Sequence, residues 1–407
     1  MNCRQCGSTV SLQLIDLGSA PPSNALRTPN GESPENSYPL RVLVCEQCWL
    51  TQTEDFARAE DLFDPAYAYL SGYSRTWIDH CEELVERVIG DFSIARGSRV
   101  VEVATNDGTL LSLFAQAGMR CLGIEPTPAA AAIARDRGLE VIESFLDVDC
   151  LTRFEHLRES AQLVVANNVL AHVPDIVGFA CACRELLTKE GIVLFEFQHL
   201  LQLVEHGLFD TIYHEHFSYL SLLATVTVLD RAGLTVFHVE EIPTHGGSLR
   251  VLAQPTSTGV EECRGSVRRV IEDEKRAGMD SRSFYSGLQE VANTCRDQLV
   301  DFLLEAKKQG KVVVGYGAAA KGNTLLNYAG IDAEVLRYVV DKNPIKQGMC
   351  LPGSGIPIVS PEQLRFDKPD CILILPWNIS EEVCDQLRSV NDWSGELVVA
   401  VPELRFV

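Results

Sequence analysis

No apolar run in the 407-residue chain reaches membrane-spanning length, so nothing in it reads as a helix that crosses a bilayer. The opening residues, Met1-Asn2-Cys3-Arg4-Gln5-Cys6, lack the charged and apolar regions of a secretory leader. A cytoplasmic protein with no membrane partner is expected. Basic residues are scarce as well: 35 Lys and Arg against 56 Asp and Glu give a formal net charge of −21. With no basic patch to offset that charge, a polyphosphate backbone is repelled at long range, and nucleic acid is not expected as a partner. An anionic small molecule is still admitted, because a few backbone N–H groups and one or two cations reverse the local field. Long low-complexity tracts are missing too, and 46% hydrophobic with 22% charged residues is a globular balance. A chain of this length holds roughly two to four domains.

Cysteine is plentiful by contrast, at fourteen residues. Ten are scattered through apolar or helical stretches, such as Cys121, Cys181 and Cys183, and read as small core residues in a reducing compartment. The other four are paired as Cys3-x-x-Cys6 and Cys45-x-x-Cys48, which supplies the soft ligands of a tetrahedral Zn2+ site. Between the pairs lies a polar segment bearing Pro21, Pro22, Pro29 and Gly31, with little core of its own and a need for a staple. Four thiolates leave no open coordination position, so this zinc is expected to be structural.

From about Ser98 the pattern becomes α/β. Arg99–Val103 reads as a buried strand, followed by the turn Ala104 to Gly108 and a helical run to Ala117; Cys121 to Glu125 gives a second strand ending on an acid. Strands at 140–142, 162–166 and 191–197 alternate with helices at 128–137 and 176–187, which predicts a parallel, doubly wound sheet. Residues 260–308 read as one long amphipathic helical connector. A second α/β unit follows, with strands at 311–314, 336–340, 371–375 and 397–401 and the turn Gly315-Tyr316-Gly317-Ala318-Ala319-Ala320 before a helix at Lys321. The expected domains are 1–75 with zinc, 76–255 with the first sheet, and 256–407 with the connector and second unit.

Ligands of such sheets lie beyond the carboxyl ends of the strands. The first unit presents Glu102, Ala104, Asn106 and Gly108 there, with Asn167 at a later strand end, and Glu125 is placed to accept from ribose hydroxyls. A pyrophosphate wants a strict Gly-x-Gly-x-x-Gly, whereas the acid Glu102 suits the cationic amino-acid part of S-adenosyl-L-methionine. Further on, Tyr213-His214-Glu215-His216-Phe217-Ser218-Tyr219 packs histidines, an acid and tyrosines into seven residues. Methyl transfer to carbon needs a proton removed first, and a ketone alongside makes that feasible. A histidine is a suitable base, a tyrosine hydroxyl can donate to the enolate oxygen, and an adjacent acid can orient the imidazole. His172 emerges at the ligand edge after the fourth strand, where capping a helix fits it equally. Tyr67 and Tyr69 fit either a site wall or half-buried structure. The glycines of His245-Gly246-Gly247-Ser248-Leu249-Arg250 fit close ligand approach or a hairpin bend.

Together these segments resemble the sugar C-methyltransferases of bacterial deoxysugar pathways. The resemblance covers nearly the whole chain and rests on the Cys pairs, EVATNDGTLL at 102–111, YHEHFSY at 213–219, HGGSLR at 245–250 and GYGAAAKG at 315–322. It implies a zinc domain, a class I methyltransferase-like doubly wound sheet and a C-terminal Rossmann-like α/β domain. It also implies a reaction: C3 of a nucleotide-linked 4-keto sugar, of dTDP or GDP type, is deprotonated and the enolate methylated. By matching motif His216 would be the base, Tyr213 and Glu215 would line its pocket, and His172 with Tyr67 or Tyr69 would assist. Tyr316, Lys321 and Asn323 would hold the substrate's nucleotide, Lys321 at a helix N-terminus suited to phosphate. Where this chain has Ala104 the family usually has glycine. O- or N-methylation of a nucleotide sugar, or nucleotide-sugar binding without turnover, are the competing readings, and a monomer or homodimer is expected.

Overall fold

A computed structural model describes residues 1–29, 35–56, 58–63, 70–92, 94–388 and 393–407. Tyr67 and Tyr69 lie outside the described residues.

Three short strands open the chain: β1 (Leu12–Ala20), β2 (Tyr38–Val44) and β3 (Thr51–Thr53), paired antiparallel in that order. The Cys pairs sit at their ends in two similar turns. Gly7 N donates to Cys3 O and Trp49 N to Cys45 O, and Gly7 and Trp49 both take positive φ, 76° and 60°. Glycine reaches that region freely, while Trp49 is held in it with its ring stacked on Tyr285 at 5.8 Å.

The central sheet is built from β4 (Arg99–Val103), β5 (Arg120–Ile124), β6 (Val141–Ile142), β7 (Ala161–Asn167) and β8 (Leu187–Gln198). A two-residue strand, β9 (Ser218–Tyr219), leaves this unit and pairs with β3, completing the N-terminal sheet. Then β10 (Leu234–Ile242) and β11 (Ser248–Pro255) close the central sheet in the order β10-β11-β8-β7-β4-β5-β6. This is the class I methyltransferase-like doubly wound sheet. It departs from an all-parallel sheet at β11, which runs antiparallel to both neighbours. The tight turn from β10 into β11 forces that reversal, since parallel neighbours need a long crossover. Apolar residues on both faces explain the continuous hydrophobic runs. Val101, Val103, Val164 and Phe195 belong to one core, and Val100, Leu163, Val165 and Leu194 to another beneath the helix Arg75–Asp91.

The expected single connector is two helices, Gly265–Ala277 and Leu288–Lys308, separated where Gly278 and Gly287 take φ of 87° and 104°. Each packs into a different unit. Glu274 of the first is fully buried, accepts from Leu222 N and Leu223 N, and meets His199 Nε2 at 2.7 Å, thereby fixing the start of the helix Leu222–Arg231. The second shares one apolar core with β1, β2 and the last sheet, through Leu299, Leu303, Ile15 and Val339.

That last sheet comprises β12 (Val313–Tyr316), β13 (Val339–Val340), β14 (Ile358–Val359), β15 (Cys371–Ile374), β16 (Glu396–Val399) and β17 (Arg405–Phe406). Its order is β14-β13-β12-β15-β16-β17, parallel except for the β17 edge, a Rossmann-like arrangement. Among the described residues no helix is long and apolar enough to cross a membrane.

Candidate active site between two sheet edges

The carboxyl ends of the central and last sheets face one cavity of about 940 Å³. Its wall runs from Glu125 past His216 to Tyr316 and Asp341. Doubly wound sheets bind ligands at these ends, so the space joins two ligand edges.

At one end the turn after β4 alternates backbone hands. Ala104, Asn106 and Gly108 have φ of 55°, 53° and 77°. Alanine in this region costs roughly 1–2 kcal/mol, a strain that glycine would not carry. Glu102, Ala104, Asn106, Glu125 and Asn167 all line the cavity. Glu125 accepts from Asn106 N and Thr127 N, fixing the turn against β5. Burial raises the Glu102 carboxyl to about 8, against an opposing hydrogen bond from Thr105 Oγ1 at 2.6 Å. Asn167 has both amide atoms buried without a partner, an unsatisfied pair that a bound ligand would complete. Gly108 does not line the cavity: a Cβ there would meet Leu139 Cδ1 at 2.5 Å and Ala134 Cβ at 3.0 Å, so its role is packing of the turn. Ser71 and Gly72 lie on this turn through Asn106 and Asp107.

In the middle sit the residues of the 213–219 segment. His216 Nδ1 lies 2.9 Å from Thr211 O, and a carbonyl can only accept. The proton is therefore on Nδ1, and Nε2 carries the lone pair. Burial, followed by the neighbouring His172, holds His216 well below its usual value, so at neutral pH it is uncharged and able to take a proton. His172 is fixed the same way on Glu215 O at 2.7 Å and is lowered by burial to about 4. The rings of His172 and Tyr213 stand 4.5 and 4.0 Å from that of His216, with Tyr219 edge-on at 5.7 Å. All four line the cavity.

Glu215 does not. Its fully buried carboxylate points away and accepts Asn24 N and Asn24 Nδ2, both at 2.9 Å. His216 N donates to Tyr213 O at 3.0 Å, closing a tight turn whose ends, Tyr213 and His216, line the cavity while its two central residues, His214 and Glu215, do not; Glu215 thus anchors the N-terminal segment while Thr211 O orients the imidazole.

Tyr316 and Lys321 line the far end, whereas Asn323 is buried outside the wall. The glycines of the 245–250 segment serve packing: a Cβ on Gly246 would strike Trp377 at 2.6 Å, and one on Gly247 would strike Gln202 at 2.6 Å. Its Arg250 is tied to Glu196 at 2.6 Å and Glu240 at 2.9 Å. Sequence reasoning missed Asp341, at the end of β13. Asp341 accepts Ala318 N and Asn343 N, both at 2.8 Å, the same arrangement that Glu125 makes at the end of β5. An acid ending a second strand was the available signal.

Away from the cavity, the sulfurs of Cys3, Cys6, Cys45 and Cys48 all lie within 4.8 Å of one another. Cys3 to Cys48 and Cys6 to Cys45 are each 3.5 Å apart. Zinc–sulfur bonds of about 2.3 Å in a tetrahedron place sulfurs about 3.8 Å apart, so the set fits zinc.

Comparisons with known proteins give three family matches along the chain. Residues 3–63 match a zinc binding domain family, 72–239 a methyltransferase domain family and 243–402 the C-methyltransferase C-terminal domain family. The C-methyltransferase NovU of Streptomyces niveus is 34% identical over 406 residues, covering 100% of this chain and 96% of that protein. A ubiquinone biosynthesis O-methyltransferase of Rhodopseudomonas palustris (strain BisB5) is 31% identical over 112 residues, 27% of this chain and 43% of that one. Among solved structures, magnesium protoporphyrin IX methyltransferase from Synechocystis PCC 6803 aligns with a TM-score of 0.34 at 14% identity, covering 43% of this chain and 78% of its own.

Proposed function

Since the chain belongs to the C-methyltransferase family, we propose that it is an S-adenosylmethionine-dependent enzyme that methylates C3 of a nucleotide-linked 4-keto sugar through an enolate. One observation carries the reading: a neutral imidazole, His216, presents its Nε2 lone pair to a cavity that also holds the cofactor-type turn at 102–106 and a second nucleotide-type edge at 316–341. Nε2 takes the C3 proton, and the Nδ1 hydrogen bond to Thr211 O stabilises the imidazolium that forms. Tyr213 and His172 wall the sugar. Asn167, Glu125 and Glu102 hold the cofactor, which when bound supplies an electrophilic methyl group. Tyr316 and the β12–β13 edge hold the nucleotide. Four thiolates carry a structural zinc outside the reaction.

The test is incubation with labelled S-adenosylmethionine and a panel of dTDP- and GDP-linked 4-keto sugars, following deuterium entry at C3. Exchange at C3 and a new C3-methyl are expected; methyl appearing only on oxygen or nitrogen, or binding without turnover, would sink the reading.

Cofactor affinity is expected to depend on pH through Glu102. A carboxyl raised by burial holds its proton between the unfolded value near 4.5 and about 8, and the stability this gives the unliganded fold is lost as pH rises through that window. A cationic ligand favours the ionised form, so binding should tighten from pH 6 to 8, by up to roughly tenfold per unit. Titration calorimetry on the wild type and Glu102→Gln checks this, and an equal slope in both would refute it.

A further inference from the structure

Lys321 is the first residue after the Gly315–Ala320 turn and Ala320 opens the helix Ala320–Tyr328, a place where a lysine commonly serves phosphate. The side chain is not disposed as a simple phosphate anchor. Its ammonium lies over the Trp377 ring, 4.5 Å from the centroid, and donates to Asn378 Oδ1 at 3.0 Å. Among the described residues no carboxylate comes within ion-pair distance of it. An ammonium has three N–H donors; the ring face and the amide oxygen occupy two, and Lys321 lines the cavity.

The same short turn positions this cation and the base. In Phe209–Thr211, the Thr211 carbonyl holds His216 Nδ1, and the adjoining Asp210 carboxylate accepts Trp377 Nε1 at 2.7 Å. Trp377 is pressed against Gly246, where only hydrogen fits. The platform under Lys321 and the tether of His216 are thus one rigid unit, though the two residues come from different domains. Lys321, His216 and His245 line the same cavity, and the charge of Lys321 adds to the burial that depresses both histidines. A cation in that cavity opposes formation of an imidazolium unless negative charge develops between them.

We infer that Lys321 is a catalytic residue that donates to the C4 oxygen of the keto sugar, stabilising the enolate that His216 generates, rather than the anchor of the nucleotide phosphates. This rests on the function proposed above. In the step, His216 Nε2 takes the C3 proton, the C–H pair becomes the C3–C4 double bond, and the carbonyl pair moves onto O4 facing Lys321. That pair then returns as the C3–CH3 bond forms and the sulfonium S–CH3 bond breaks, leaving a neutral thioether. The imidazolium proton goes to solvent. Asp210 acts through Trp377 as a positioning residue. A phosphate cation is still available at the mouth, where Lys342 lines the cavity beside Asp341.

The experiment compares wild type, Lys321→Met and Lys321→Arg at saturating substrate. It reads C3 deuterium exchange, methyl transfer and, separately, the Kd of free GDP and dTDP. For Lys321→Met, exchange and methyl transfer are expected to fall about a hundredfold, the usual cost of losing one oxyanion donor, with the diphosphate Kd within about threefold of wild type. Lys321→Arg, which keeps the cation, should recover part of the exchange. Should Lys321→Met melt early, Lys321→Gln is read instead. Exchange within threefold of wild type, or a diphosphate Kd weakened tenfold or more, overturns the assignment. Failure of the wild type itself to exchange or methylate any of the sugars would instead overturn the function on which it rests.

Discussion

Replacing His216 by asparagine is expected to lower methyl transfer to the sugar by about a thousandfold, within the 10²–10⁴ range that general base catalysis commonly supplies. Asparagine retains an N–H able to reach Thr211 O, now held by the ring at 2.9 Å, but offers no basic lone pair to the cavity. Two further readouts give the loss its meaning. C3 deuterium exchange should vanish together with methylation, because both need the same proton removed. Affinity for S-adenosylmethionine should stay within about twofold, because the 102–106 turn and Glu125 are held by each other and not by His216. An oxygen or nitrogen acceptor needs only positioning and modest base help, so it would lose little. Unchanged exchange in the asparagine variant would remove deprotonation by this residue from the mechanism.

Much of the fold and site is legible in the sequence because its signals are local. A strand buried on both faces shows as an uninterrupted apolar run, as at 163–166, and a ligand edge is marked by the turn at a strand's carboxyl end, here Ala104 to Gly108 after β4. The two Cys-x-x-Cys turns carry their own geometry. Less legible is anything that depends on which way a side chain points or on distant partners. Glu215 sits next to His216 in sequence, yet its carboxylate faces Asn24, because the turn closed by His216 N on Tyr213 O keeps its two central residues off the cavity wall. Gly108 suggests a backbone open to ligand, whereas the missing side chain makes room for Leu139 and Ala134. Nothing local ties Lys321 to His216; Trp377 and Asp210, which do so, lie 167 residues apart. Asp341 was within reach, because it repeats at β13 the acid that Glu125 places at β5.

Removing zinc is expected to abolish turnover while leaving much of the cofactor affinity, because the metal-bearing module supports the base rather than the cofactor. β3 pairs with β9, which begins two residues after His216. Thr53 Oγ1 donates to His216 O at 3.0 Å, Thr53 N to Phe217 O at 3.2 Å, and the Arg4 guanidinium lies 5.0 Å from the centre of the Phe217 ring. Glu215, directly before the base, is fastened to Asn24. The backbone of the 213–219 segment is thus clamped by a small sheet whose own ends are held by four thiolates 3.5 to 4.8 Å apart. Structural zinc contributes roughly 10–16 kcal/mol of apparent binding free energy at neutral pH, more than a three-stranded module with little core can replace. Chelation, or Cys45→Ser, should lower the melting temperature and cut methyl transfer by at least about a hundredfold, with stoichiometric Zn2+ restoring the chelated wild type. The central sheet, covered on both faces by its own helices, should still bind S-adenosylmethionine within about tenfold. Metal content measured beside activity decides the matter: full turnover in zinc-free protein would separate the module from the base, whereas joint loss and joint recovery would tie the four cysteines to His216.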